Sequence, residues 1–191
     1  MKSKTKQNKT EKCLITYQYR IKDSSKTLKK NLYLKSGAVN FVWNYCNSTQ
    51  QEAVKRNRRW LSEIDLCNLT SGSSKELNLH SQTVQAICEE YVLRRKQFHK
   101  ASLNFRTNKK NRNLPWIPFK SSAIRVDETG TFTFQKLKLK TWYSRKIPKN
   151  ATIKSGSICC DNLGKWFINI VIEQSLTEEE RLALTSKGQN I

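Results

Sequence analysis

Lys136, Lys138 and Lys140 alternate with Leu137 and Leu139 in the segment KLKLK. In an extended chain alternate side chains share a face and recur every ~6–7 Å, a spacing that suits the phosphates of a nucleic-acid backbone. The densest group of cations lies earlier, at Lys55, Arg56, Arg58 and Arg59, directly before Trp60. A guanidinium neutralises phosphate and also lies flat on a base, and an indole performs the second of these tasks. Arg94, Arg95, Lys96 and Lys100 make a third group; Lys109, Lys110, Arg112 and Lys120 flank the segment LPWIPFK. Each group has a plainer reading, as a solvated helix end or as a sheet edge whose lysines discourage aggregation. Trp60 in that plainer reading is a core residue.

The whole chain leans the same way. Its 191 residues hold 36 Lys and Arg against 15 Asp and Glu, a formal net charge of +21. Charge of that size opposes compaction unless a polyanion compensates it. Each phosphate met by Lys or Arg releases a condensed counterion, so affinity comes readily and falls steeply with salt. An anionic membrane would want an amphipathic basic helix with a greasy face, or a lipid anchor, and the sequence has neither pattern. It also has no apolar run long enough to cross a bilayer. The expected partner is nucleic acid, with no membrane role. Met1 to Lys12 is Lys-rich with no apolar stretch behind it, so it reads as a flexible basic arm and not as a secretory signal. The expected location is the cytoplasm, or the nucleoid when DNA-bound.

Other chemistry finds little support. Cys13, Cys46, Cys67, Cys88, Cys159 and Cys160 are scattered without C-x-x-C spacing, and His80 and His99 have no ligand-spaced neighbour. No metal site and no cofactor are expected. The thiols read as buried and free in a reducing compartment. Two histidines and no nucleophile elbow leave no hydrolytic triad. Glu89-Glu90, Asp127-Glu128 and Asp161 fall on a helix or in turns, and Glu178-Glu179-Glu180 reads as the first turn of a short helix capped by Thr177. Neighbouring helix residues diverge, whereas two-metal chemistry needs convergent carboxylates. No catalytic residue is expected.

The elements that position the cations follow from periodicity. Residues 13–21, CLITYQYRI, read as a strand. Ser24 or Ser25 caps a helix on which Leu28, Leu32, Val39, Val42 and Cys46 share a face, with Gly37 a point where it could split in two. The stretch 65–79, with SGSS at its middle, reads as a loop. A second helix has Val84, Ile87, Cys88, Tyr91, Phe98 and Phe105 on one side and Arg94, Arg95, Lys96 and Lys100 on the other. Residues 107–113 form a basic loop, and LPWIPFK a stiff extended link with Trp116 and Phe119 in the core.

From Trp116 the period becomes two. TFTF follows a DETG turn, KLKLK follows TFTF, and ATIKSGSICC and KWFINIVIE flank a DNLG turn as a hairpin. A lone first strand needs a partner, which the later strands supply. The expected fold is α+β: a small antiparallel β-barrel interrupted by a helical insertion. Its parts are an arm at 1–12, the barrel at 13–24 and 115–174, helices at 25–114, and a tail at 175–191.

Taken in order, YQYRI, GAVNFVWNYCN, WLSEID, SQTVQAI, LPWIPFKSS, KLKLK and ATIKSGSICCDNLGKWFINIVIE resemble the N-terminal half of the TnpB (OrfB-type) transposon-encoded RNA-guided nucleases. These are relatives of the compact type V CRISPR effectors. The resemblance covers about residues 13–174. It implies a wedge-type, OB-like barrel with an inserted helical recognition domain that grips a structured guide RNA and reads a short motif in the target duplex DNA. Under it, the Arg94–Lys100 face meets the duplex. Gln85, with Ser81 and Gln82 beside it, sits near the duplex motif, where a Gln amide can pair with an adenine edge. Asn44 falls in the family's helix pattern, between Trp43 and Tyr45, which read as packing residues.

The family's cutting half, a RuvC-type domain with three carboxylates and a zinc finger, lies downstream. The 17 residues after Gln174 are too few for it, so no cleavage centre is expected here. The chain is then a subunit served by a separate RuvC-type nuclease, a guide-dependent regulator acting by occupancy, or a truncated remnant. Outside the family, the alternative is a general basic RNA-binding structural protein.

Overall fold

Strand β1 (Glu11–Arg20) buries every second residue, Cys13, Ile15, Tyr17 and Tyr19, and finds its partner at the far end of the chain. It pairs antiparallel with β7 (Trp166–Leu176), from Glu11 opposite Leu176 to Arg20 opposite Phe167. The computed structural model describes residues 11–22, 25–107 and 113–185. Of the expected arm, only Glu11 and Lys12 are described, and both belong to β1. The rest of the arm, with Ser24, lies outside the described residues.

β7 pairs in turn with β6 (Thr152–Cys160), and β6 with β2 (Trp116–Lys120), giving the order β1-β7-β6-β2. The DNLG turn closes the β6–β7 hairpin as expected: Asp161 Oδ1 accepts the N–H groups of Leu163 and Lys165, and Gly164 takes a positive φ of 76°. LPWIPFK is a strand and not a link. Pro118 fits because β2 is an edge strand, where a missing N–H is tolerated.

A second sheet holds β3 (Ile124–Val126), β4 (Thr131–Phe134) and β5 (Leu137–Lys140) in that order. One 3-10 turn, Ser121–Ala123, carries the chain from β2 into β3. On the other side Ile21 bridges to Thr141, with Lys22 N–H donating to the Lys140 carbonyl at 2.8 Å. These corners join the two sheets, but the ladders do not close into the expected barrel. The sheets share a core instead: the Tyr19 and Phe132 rings lie 5.4 Å apart, and those of Phe119 and Phe134 6.1 Å apart.

Between β1 and β2 the chain is helical. Helix α1 (Lys26–Asn57) is capped by Ser25, whose Oγ accepts the Leu28 N–H at 3.2 Å. It runs unbroken through Gly37 for 32 residues, about 48 Å. The expected loop at 65–79 instead holds α2 (Glu63–Leu69) and the single turn α3 (Ser73–Glu76). The reason is a capping box: Ser62 accepts from the Asp65 N–H, and the Asp65 carboxylate accepts from Ser62. Helix α4 (Ser81–Phe98) follows, and α5 (Glu178–Thr185) ends the described chain, with Thr177 and Glu180 forming a second such box.

Helices α1 and α4 run in the same direction. Cys46 meets Cys88 (Sγ to Sγ 3.9 Å), Asn47 meets Tyr91 and Gln50 meets Arg95, so the partners advance together. Both helices therefore end on one side of the molecule. The N-terminal half of α1 rests on the four-stranded sheet, through Tyr33 against Trp166 and Ser36 against the Trp116 N–H. Among the described residues no helix is long and apolar enough to cross a membrane.

Candidate nucleic-acid interface

The small sheet has one apolar and one basic face. Phe132, Phe134 and Leu139 point into the core. On the opposite face Arg125, Thr133 and Lys138 stand in register across the three strands, with Thr131 beside Lys140. Arg125, Lys138 and Lys140 are exposed, and among the described residues none has a carboxylate within 4 Å. Lys136 lies in the turn before β5, after Gln135 at φ 53°, so it stands beside this face and outside its ladder. Sequence reasoning missed Arg125. Its signal is the alternation Ile124-Arg125-Val126, too short to stand out alone.

The parallel course of α1 and α4 brings two other predicted groups to one end of the helical block. Lys55 and Arg56 occupy the last turn of α1, and Arg58 closes it at φ 53°, donating its N–H to the Val54 carbonyl at 2.9 Å. Arg56 pairs with Glu52 at 3.3 Å, and Arg59 with Asp65 at 2.8 Å. On α4, Arg94 holds Glu90 at 2.6 Å and Gln97 at 3.0 Å and Lys96 is exposed; Lys100, expected on this helix, is exposed just beyond its end at Phe98. Part of this arrangement is local physics, since cations offset the negative end of a helix dipole. Trp60 is 53% exposed and not a core residue, with the Arg95 guanidinium 5.1 Å from its ring centroid.

Arg95 leaves the binding set. It is 3% exposed, and its guanidinium donates to Gln50 Oε1 and, at 2.8 Å, to the Leu61 carbonyl. Burial pushes its pKa down. Val84, Cys88, Tyr91 and Arg95 follow one another at steps of four, three and four, so Arg95 continues the apolar stripe and braces α4 against α1. Phe98 and Phe105 leave the predicted core face, because α4 ends at Phe98 and both rings are exposed.

Lys120 is engaged within the protein, 2.8 Å from Glu89 and 3.8 Å from Glu63. Its hydrogen bond to Glu89 raises its pKa. It ties β2 to α4 and α2, its charge already met. Gln85 is exposed on α4, with Ser81 also exposed and Gln82 half-buried. Lys109, Lys110 and Arg112 lie outside the described residues. Trp43 is buried and Trp116 half-buried, Phe119 is in the core, and Tyr45 is exposed and not a packing residue.

A cleft of about 1010 Å³ opens between the C-terminal end of α4, residues 100–107 and the outer face of the four-stranded sheet. A polar stripe on α1 shapes it. Gln51 meets Ser102, Asn47 grips the backbone of Leu103, Asn44 that of Arg106, and Ser36 accepts the Trp116 N–H. Arg106 is held with its guanidinium 5.1 Å from the Trp116 ring and 5.6 Å from Trp43, and its Nε donates to Asn40 at 3.1 Å. Burial lowers its pKa.

The cysteines are free; Cys67 and Cys159 are half-buried and the other four buried. Among the described residues no group of three or more His, Cys, Asp and Glu side chains could hold a metal ion. No protein-family model matches the chain, and no curated protein matches it.

Proposed function

We propose that this chain binds structured RNA through its cationic faces, as the RNA-gripping and target-recognising half of a TnpB-like RNA-guided system. The observation that carries the reading is the face of Arg125, Lys138 and Lys140 on the small sheet. Its cations are exposed, free of carboxylates within 4 Å among the described residues, and fixed on a packed sheet. Side chains on a sheet hold a regular spacing without the ordering cost of a loop, and phosphate neutralisation supplies the affinity. The chain path supports the finer reading: a helical block lies between β1 and β2, while β1 returns to pair with β7. That is the order the TnpB resemblance implies.

In this reading guide pairing carries most of the sequence specificity, and the protein supplies charge, shape and a short duplex readout, with Gln85 the residue offered to a base edge. Cutting falls to a RuvC-type nuclease and not to the described residues. Sequencing the RNA that copurifies with the protein tests the reading. One scaffold-like RNA with a variable end is expected. Bulk ribosomal RNA would contradict it and favour a general RNA-binding structural protein.

A further inference from the structure

We propose that the cleft beside Arg106 takes one unstacked nucleotide of a structured RNA. The inference rests on the RNA-binding reading above and names what one part of that surface holds.

Three observations converge. The cleft is at the large end of small-molecule sites, which run to ~1,000 Å³. It is therefore roomy enough for a base with its sugar and flanking phosphates. Aromatic rings line it: Phe98, on the last turn of α4, is 54% exposed, and Phe167 and Trp116 are half-buried. A ring left half in water among cations is a stacking surface for any base.

The third observation is charge. Among the described residues Arg94, Lys100 and Arg106 line the cleft against Glu90 and Asp161, three cations to two carboxylates, a balance of +1. Both carboxylates are already engaged, Glu90 with Arg94 and Asp161 with the backbone N–H groups of its own turn. Arg106 is different. Among the described residues no carboxylate lies within 4 Å of it; its fork is held by two indoles, Asn40 and, at 3.4 Å, the Leu114 carbonyl. Glu90 acts on it only at longer range and is itself held by Arg94 at 2.6 Å, so a phosphate beside a stacked base supplies the direct ion pair that this half-buried guanidinium lacks.

The test uses the full chain and two RNA hairpins, identical except that one carries a single bulged 2-aminopurine. The bulged hairpin is expected to bind about tenfold tighter, with a change in 2-aminopurine emission as the base stacks. Phe98→Ala should remove that preference and leave affinity for the paired hairpin unchanged, and Phe98→Tyr should restore it. Phe98 is exposed, so these variants keep the core intact. Equal binding of both hairpins, or a bulge preference untouched by Phe98→Ala, would overturn the nucleotide site while leaving RNA binding in place. Binding of neither hairpin at low salt would overturn the RNA-binding reading and this inference with it.

Discussion

Asn44 holds Arg106 by its backbone at both ends. Its Nδ2 donates to the Arg106 carbonyl at 2.9 Å, and its Oδ1 accepts the Arg106 N–H at 2.7 Å. Asn47 repeats the pattern one turn on: its Nδ2 donates to the Leu103 carbonyl at 2.6 Å, and its Oδ1 accepts the Leu103 N–H at 2.9 Å. Two helix side chains thus do for residues 103–106 what a neighbouring strand does in a sheet. This is how a segment without regular structure becomes a defined wall of the cleft.

Asn47 is fully buried, and its Oδ1 also accepts from the Tyr91 hydroxyl. Asn47→Ala leaves those donors without a partner and should cost ~1–3 kcal/mol of stability. Hydrogen exchange should speed up at the Leu103 amide, while amides of the β1–β7 ladder change only with global stability. Unchanged exchange at Leu103 would show that the clamp does not hold the segment.

Arg95 should behave as a structural residue. Arg95→Ala removes its bonds to Gln50 and Leu61, and a loss of ~1–3 kcal/mol is expected in denaturant unfolding. Arg95→Lys should not restore stability, because a single ammonium cannot span both acceptors as the fork does. RNA affinity of the folded variant should match the parent. A weakened affinity at unchanged stability would return Arg95 to the binding surface.

The small-sheet face should show the reverse. Arg125, Lys138 and Lys140 changed together to Ala should reduce the salt slope of RNA binding by ~0.7–0.9 for each phosphate no longer neutralised. Stability should move by no more than ~0.5 kcal/mol for each substitution, as for other exposed sites. A parental slope in the triple variant would remove this face from the interface.

Gly156 marks where the four-stranded sheet closes tightly on its core. A Cβ there would overlap the Asn169 carbonyl oxygen and the Phe119 ring. Both are fixed, one by backbone pairing and one by burial. Gly156→Ala should destabilise by ~1–3 kcal/mol through overpacking, read as a fall in Tm. A Tm at or above the parent value would mean that β6 yields at this point.

The longer strands were legible because alternation is a local signal, whereas β2, broken by Pro118, and the three-residue β3 were not. Cys13, Ile15, Tyr17 and Tyr19 mark the buried face of β1, the DNLG turn fixes the β6–β7 hairpin, and DETG marks the turn before β4. The helix caps at Ser25 and Thr177 were legible for the same reason. Arg95 was misplaced because its charge outweighed its spacing, although the spacing put it on the buried stripe. The short helices at 63–76 were masked by SGSS, while the capping pair Ser62 and Asp65 stood in plain view. The stripe Ser36, Asn40, Asn44, Asn47 and Gln51 has helical spacing, but nothing local says that residues 102–106 and Trp116 return to meet it. Nor does periodicity reveal that α1 and α4 run the same way, which is what gathers Lys55, Arg56, Arg58 and Arg59 beside the end of α4.

The central claim is that the surplus of cations is there to meet a polyanion. Its most direct test is the dissociation constant of the full chain for a structured RNA, measured across a salt series at fixed pH. The account predicts a linear fall of log affinity with log salt, with a slope of several units, since each neutralised phosphate contributes ~0.7–0.9. A flat dependence, with the same affinity at low and high salt, would contradict it.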